Sequence, residues 1–218
     1  MAWSLETLVR SPWLSHQPAP VAQALLAAGQ LHRIEAGESV FAEGEGGLFA
    51  VVEGRLSIDA AAAGERRVLI DFIRAGHWLA HTASAGEDTR PVAVRARTAA
   101  TLFLIPDAKL ARIARNRPDI WQSVNDLTRQ QLQGAVRMIA RLLTASPAEL
   151  IALRLVMLAE GRPPTVTVSQ SELGELTGLT RKAVNAHLAL LETAGSIRRA
   201  YGRVMLTDLA ALKRIVGA

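Results

Sequence analysis

Between Leu31 and Ile105, Gly37, Gly44, Gly46, Gly47, Gly54, Gly64, Gly76 and Gly86 cut the chain into short apolar stretches. Within several of these, hydrophobicity alternates with a period of two. Leu56 and Ile58 face one way and Arg55, Ser57 and Asp59 the other. Val68, Ile70 and Phe72 repeat the pattern, as do Val92 and Val94. A period of two is that of a half-buried strand. Many short strands separated by regular turns predict a compact antiparallel β-roll or barrel, entered through a short helix from about Pro20 to Ala28.

The middle of the chain changes period. Leu110 to Arg115 reads as a short helical turn, and Pro118 suits the first turn of a longer helix. Ile120, Val124, Leu127, Leu132, Val136, Ile139 and Leu143 form an approximate apolar stripe reaching about Ala145. A helix of ~25 residues outruns one small roll, so the stripe is expected to meet a second copy or to pack within its own chain. Gln130, Gln131 and Gln133 interrupt any strict heptad. Ser146-Pro147-Ala148-Glu149 then places a capping Ser, a first-turn Pro and a Glu three after the cap. The expected divisions are 1–115 as a roll, 116–145 as a long helix and 146–218 as a C-terminal domain, with an α+β fold class.

The last fifty residues carry the most specific pattern. Ser169 caps a helix through Leu173 and Leu176, Gly178 permits a sharp turn, and Thr180 caps a second helix from Arg181 to about Thr193. Val184, Leu188 and Leu191 recur at i, i+4 and i+7, giving the second helix one buried face. The opposite face offers Arg181, Lys182, Asn185, Ala186 and Ala189. Two short helices about a glycine turn, with donors at the start of the second, fit helix-turn-helix geometry. Arg and Lys suit guanine O6/N7, and Asn suits adenine N6/N7. Gly195 ends the helix, and Ile197-Arg198-Arg199 and Val204-Met205-Leu206 flank Ala200-Tyr201-Gly202-Arg203 as a basic hairpin wing.

Charge follows the same division. The chain of 218 residues carries a formal charge of +5, but residues 1–115 hold 12 basic and 12 acidic side chains, whereas residues 150–218 hold 9 and 5. A basic terminal domain can follow a phosphate backbone. The absence of cysteine excludes disulfides, thiolate metal sites and iron–sulfur clusters. No apolar run approaches the ~18 residues of a membrane span, and the N-terminus lacks a signal-peptide layout, so a cytoplasmic protein is expected.

The order of these parts resembles the CRP/FNR superfamily of bacterial transcription regulators. The stretch from Ile34 to Glu45 resembles the entry to a cyclic-nucleotide-binding-type roll, and Leu48 to Leu56 its next hairpin. Asn116-Arg117-Pro118-Asp119-Ile120 resembles the start of the dimerisation helix. Ser169-Gln170-Ser171-Glu172-Leu173-Gly174 with Gly178-Leu179-Thr180-Arg181 resembles the winged helix-turn-helix. The resemblance implies a homodimer on a roughly palindromic double-stranded operator, working with RNA polymerase. Arg181 stands where family members place a guanine-reading Arg. The outward face of the second helix adds Lys182 and Asn185 as expected readers, with Ser169, Gln170, Thr180 and Arg203 expected on phosphates or neighbouring edges.

Departures from the cyclic-AMP-binding members bear on the effector. Gly76-His77-Trp78-Leu79-Ala80-His81 places His81 where those members carry a ribose-binding Glu. Arg90 is kept, but Pro91 replaces a phosphate-binding Ser and removes a backbone donor. A Thr-Ser pair expected near Ala135–Ala140 is missing. Each lost polar partner costs about 1–3 kcal/mol, so cyclic AMP is expected to bind weakly or not at all. The pocket residues Gly76, His81 and Arg90 leave two occupants open, an anion held by Arg90 or side chains such as Trp78. At the recognition helix, Lys182 stands for a common acidic residue and Ala186 for a second basic reader. A haem or metal sensor using His77 and His81 is an alternative reading, as is a roll-based metalloenzyme. The latter lacks a His-x-His arrangement, Gly-x-Ser-x-Gly, His-Glu-x-x-His or a phosphate-loop lysine.

Overall fold

The computed structural model describes residues 6–40, 46–61, 67–81, 92–159 and 164–217. Two compact units divide at Gly134, Met1–Gly134 and Ala135–Ala218.

In the first unit, α1 (Glu6–Val9), a 3-10 turn (Leu14–His16) and α2 (Ala19–Ala28) lead into seven strands. These are β1 (Gln30–Ile34), β2 (Gly47–Glu53), β3 (Arg55–Ala61), β4 (Arg67–Arg74), β5 (Trp78–His81), β6 (Val92–Ala96) and β7 (Ala100–Pro106). They form two antiparallel sheets, ordered β1-β7-β2-β5 and β4-β3-β6. The chain crosses from one sheet to the other at Gly54, whose φ of +93° suits glycine and whose position leaves no room for a Cβ beside Ala100.

Strand β2 is buried on both faces. Phe49 and Val51 join Leu56, Ile73, Val94 and Leu102 in a core shared by the two sheets. Leu48, Ala50 and Val52 face the other way, into a cluster with Leu8, Trp13, Leu25 and Leu110 of the helices. A strand covered on both faces needs a near-continuous apolar run, which Leu48-Phe49-Ala50-Val51-Val52 supplies.

The expected alternation fails at one place. The β3–β4 register pairs Ile58 with Asp71 and Asp59 with Leu69, so Ile70 is the extra residue of a β-bulge. Ile70 is 40% exposed, and buried Leu69 takes the inward position that the period of two assigns to its neighbour. Buried Phe72 instead packs under the Arg55 guanidinium, 3.4 Å above its ring.

After α3 (Asp107–Ala114) comes α4 (Asp119–Thr144), a single helix of 26 residues. Its apolar stripe splits. Ile120, Val124 and Leu127 are buried in the first unit's helical cluster, whereas Leu132, Val136, Ile139 and Leu143 are exposed.

The second unit holds α5 (Pro147–Ala159), β8 (Thr165–Thr167), α6 (Gln170–Thr177), α7 (Arg181–Thr193), β9 (Ile197–Ala200), β10 (Arg203–Leu206) and α8 (Leu209–Val216). Its small sheet runs β8-β10-β9. The Ser146–Glu149 capping box is present, with the Ser146 N–H donating to Glu149 at 2.7 Å and the Glu149 N–H to the Ser146 hydroxyl at 3.3 Å. Helix α5 packs on α6, α7 and α8.

Candidate nucleic-acid interface

Helices α6 and α7 are set by their ends. The Ser169 hydroxyl accepts from the Glu172 N–H at 3.1 Å, and the Glu172 carboxylate accepts from the Ser169 N–H at 2.7 Å. That reciprocal box fixes where α6 begins. It ends at Gly178, left-handed at φ +71°. The Thr180 hydroxyl then accepts from the Ala183 N–H and starts α7. Between the caps, the Leu179 carbonyl comes so close to Gly174 that a Cβ there would stand 2.7 Å from it. Gly174 thus sets how tightly the two helices turn.

Leu173 and Leu176 of α6 and Val184, Leu188 and Leu191 of α7 are buried. Turning those faces inward presents Arg181, Lys182 and Asn185 to solvent. The hairpin β9–β10 turns through Tyr201-Gly202, with Gly202 at φ +64°. A groove of about 330 Å³ lies between the N-terminal end of α6 and this hairpin, lined by Ser169, Gln170, Arg181, Arg199, Tyr201 and Arg203 among others. Among the described residues, no ion pair occupies Arg181, Lys182 or Arg203. All seven residues that the sequence singled out for DNA contact fall in the second unit, six of them on α6, α7 or their caps and Arg203 on the hairpin.

Two residues were missed. Arg199 donates Nε to the Glu192 carboxylate at 2.7 Å, and its backbone N–H donates to the same group at 2.7 Å. Those two donors, the backbone one first, hold the Glu192 carboxyl below the usual carboxylate range. Arg199 Nη1 reaches on to Asn185 Oδ1 at 2.9 Å, which also accepts from Gln170 Nε2 at 3.2 Å. So the wing's second arginine is neutralised by the end of α7 rather than left as a free cation. No local spacing signals this, because Glu192 and Arg199 meet only when the chain doubles back at Gly195.

Two family models match this chain: a cyclic nucleotide-binding domain over residues 31–117 and a Crp-like helix-turn-helix domain over residues 137–215. Together they span about three quarters of it.

The chain belongs to the CRP/FNR superfamily.

It carries a cyclic nucleotide-binding domain and a Crp-like helix-turn-helix domain, and the proteins it resembles are transcriptional regulators. Among solved structures, a CRP-family transcriptional regulator from Thermus thermophilus is 27% identical, with a TM-score of 0.67 over 86% of this chain and 97% of that one. FixK2 from Bradyrhizobium japonicum shares the fold at 18% identity, with a TM-score of 0.74 over 87% of this chain and 98% of that one. The transcriptional regulator LdrP of Thermus thermophilus is 47% identical over 53 residues, 24% of this chain. That match spans only 27% of LdrP's own length.

In the CRP/FNR roll, Gly76 occupies a turn at φ +86° and donates its N–H to the Val51 carbonyl at 2.9 Å. Arg90 and Pro91 lie outside the described residues, as does the His81 side chain. The His81 backbone pairs with Gly47. Trp78 does not fill the roll. Its ring lies on the helical side of the sheet, 5.1 Å from Trp13, and its Nε1 donates to the Ser11 hydroxyl at 2.9 Å. The interior face at this point of β5 carries Leu79 instead, since successive strand residues alternate faces. His77 donates Nδ1 to the Arg74 carbonyl at 3.1 Å. Although it keeps an exposed edge, desolvation first and the Arg74 guanidinium second lower its pKa. Among the described residues, no three His, Asp or Glu side chains come together as a metal site.

Proposed function

We propose that this CRP/FNR regulator is a cytoplasmic homodimer that binds a pseudo-palindromic operator, with one α7 in the major groove of each half-site, and that it acts with RNA polymerase. The observation that carries this reading is the outward face of α7, where Arg181 and Lys182 stand exposed at the helix start beside the wing groove. The N-terminal residues of such a helix are those that reach base edges. Arg181, Lys182 and Asn185 read bases in this scheme, and Ser169, Gln170, Thr180 and Arg203 hold phosphates. The Ser169 and Thr180 hydroxyls accept from backbone N–H groups, so each keeps its own proton to donate. The exposed second half of the α4 stripe supports pairing with a second copy.

The regulator is proposed not to be controlled by cyclic AMP, because His81 and Pro91 remove the carboxylate and hydroxyl that ligand uses in the cyclic-AMP-binding members. Calorimetry should show no micromolar binding of cyclic AMP.

The deciding experiment selects sites from a randomised duplex library with the full chain. An enriched inverted repeat is expected, with retention that falls steeply as salt rises. Arg181→Ala should cost about 1–3 kcal/mol and relax one base position. Enrichment of no sequence, or unchanged affinity in Arg181→Ala, would remove the assignment.

A further inference from the structure

The Asn185 amide has a fixed orientation. Arg199 Nη1 lies 2.9 Å from its Oδ1, and Gln170 Nε2 lies 3.2 Å from the same atom. A guanidinium has donors and no acceptor, so the Asn185 atom facing it is the carbonyl oxygen. A carbonyl has two lone pairs, and here two donors engage them. The Asn185 NH2 is what remains for other partners.

Arg199 is itself anchored. The Glu192 carboxylate takes one proton from its backbone N–H and one from its Nε, both at 2.7 Å. Glu192 lies in the last turn of α7 and Arg199 on β9, so the latch ties the recognition helix to the wing. It also absorbs the charge of Arg199, which weakens the pull of a phosphate on that side chain.

An asparagine recognises adenine bidentately by accepting from N6 and donating to N7. With its acceptor engaged, Asn185 is left with donation alone. Adenine offers the Asn185 NH2 only N7, with its own N6 donor alongside, whereas guanine presents two adjacent acceptors, N7 and O6, and thymine presents O4. We infer that Arg199 is a specificity-positioning residue, which turns Asn185 from an adenine reader into a donor that selects guanine or thymine. This rests on the placement of α7 in the major groove proposed above.

The test repeats the library selection with the full-length wild type, Asn185→Ala, Arg199→Ala and Arg199→Met. The half-site position whose preference vanishes in Asn185→Ala is the one Asn185 reads. At that position the wild type should enrich guanine or thymine. Arg199→Ala should shift the preference toward adenine by about tenfold. Arg199→Met keeps the apolar stem while removing the donors, and should give the same shift if Arg199→Ala folds poorly by circular dichroism. A merely structural role for Arg199 would lower affinity for all sites without exchanging the preferred base. Adenine in the wild-type profile, no position that depends on Asn185, or an unchanged base in a folded Arg199 variant would overturn the inference while leaving the DNA-binding reading intact. A wild type that enriches nothing would remove both.

Discussion

Arg154, buried in α5, donates its Nε–H to the Leu176 carbonyl in the last turn of α6 at 2.9 Å. The last four carbonyls of a helix lack intrahelical partners, and a cation there also opposes the negative end of the helix dipole. This bond therefore holds the first helix of the helix-turn-helix against its support. Arg154→Met keeps the stem's bulk but strands the carbonyl, which should cost about 1–3 kcal/mol. Native-state amide exchange of the full chain should show faster exchange in α6, with β2 amides unchanged. Unaltered α6 protection would refute the role.

Gly174 should be the least replaceable glycine of α6–α7. An added Cβ would lie 2.7 Å from the Leu179 carbonyl, a backbone atom that cannot swing aside. Gly174→Ala should then open the turn, cost about 1–3 kcal/mol and weaken operator retention. Gly134 in α4 offers the contrast, since a Cβ there meets nothing within 4 Å. Gly134→Ala should stabilise the helix by about 0.5–1 kcal/mol. Thermal melts of the two variants should move in opposite directions.

Glu192 makes the wing latch sensitive to acid. Its folded pKa is lowered from 4.5 by the Arg199 backbone and side-chain donors. The stability it lends is in force above that ordinary value and is lost as pH falls through the lower, folded one. A carboxyl carbon NMR titration should place its midpoint below the usual range. In Arg199→Ala the backbone donor survives, so the midpoint should rise only part of the way. A midpoint at the ordinary carboxylate value in the wild type would contradict the latch.

The second half of the α4 stripe should behave as a covered surface. Val136 and Ile139 are 56% and 57% exposed, and Leu143 81%. Leaving such a row in water forfeits roughly 1.5–3 kcal/mol per side chain relative to burial. Light scattering should give twice the chain mass for the wild type, and the chain mass for Ile139→Lys/Leu143→Lys. The urea midpoint of the roll, followed through Trp13 and Trp78, should change little between them at low protein concentration. A wild type that stays monomeric at tens of micromolar would defeat the proposed dimer.

What could be read from the linear chain was what depends on near neighbours. Ser146–Glu149 and Ser169–Glu172 are reciprocal caps three residues apart, so their geometry is almost written in their spacing. Val184, Leu188 and Leu191 share a face of α7 because 3.6 residues make a turn. The glycine-cut apolar runs led to an antiparallel roll, and Gly178 to the αL end of α6.

Other features needed the folded chain. Ile70 points outward because a bulge adds one residue to β4, and a period of two has no means of announcing an insertion. Trp78 faces the helices rather than the roll interior because the β2–β5 register pairs it with Ala50, whose side chain also faces the helical cluster. The α4 stripe divides because the first unit's apolar cluster covers only its start. The Glu192–Arg199–Asn185 chain joins residues that are remote until α7 and the wing pack. The sequence by itself determined the caps, the turns, the amphipathic faces and the basic start of α7, since those follow from local backbone and side-chain chemistry. Only the tertiary structure decided which face of β5 meets which core, and which hydrogen-bonding atoms of Asn185 remain to be offered, since both are set by long-range contacts.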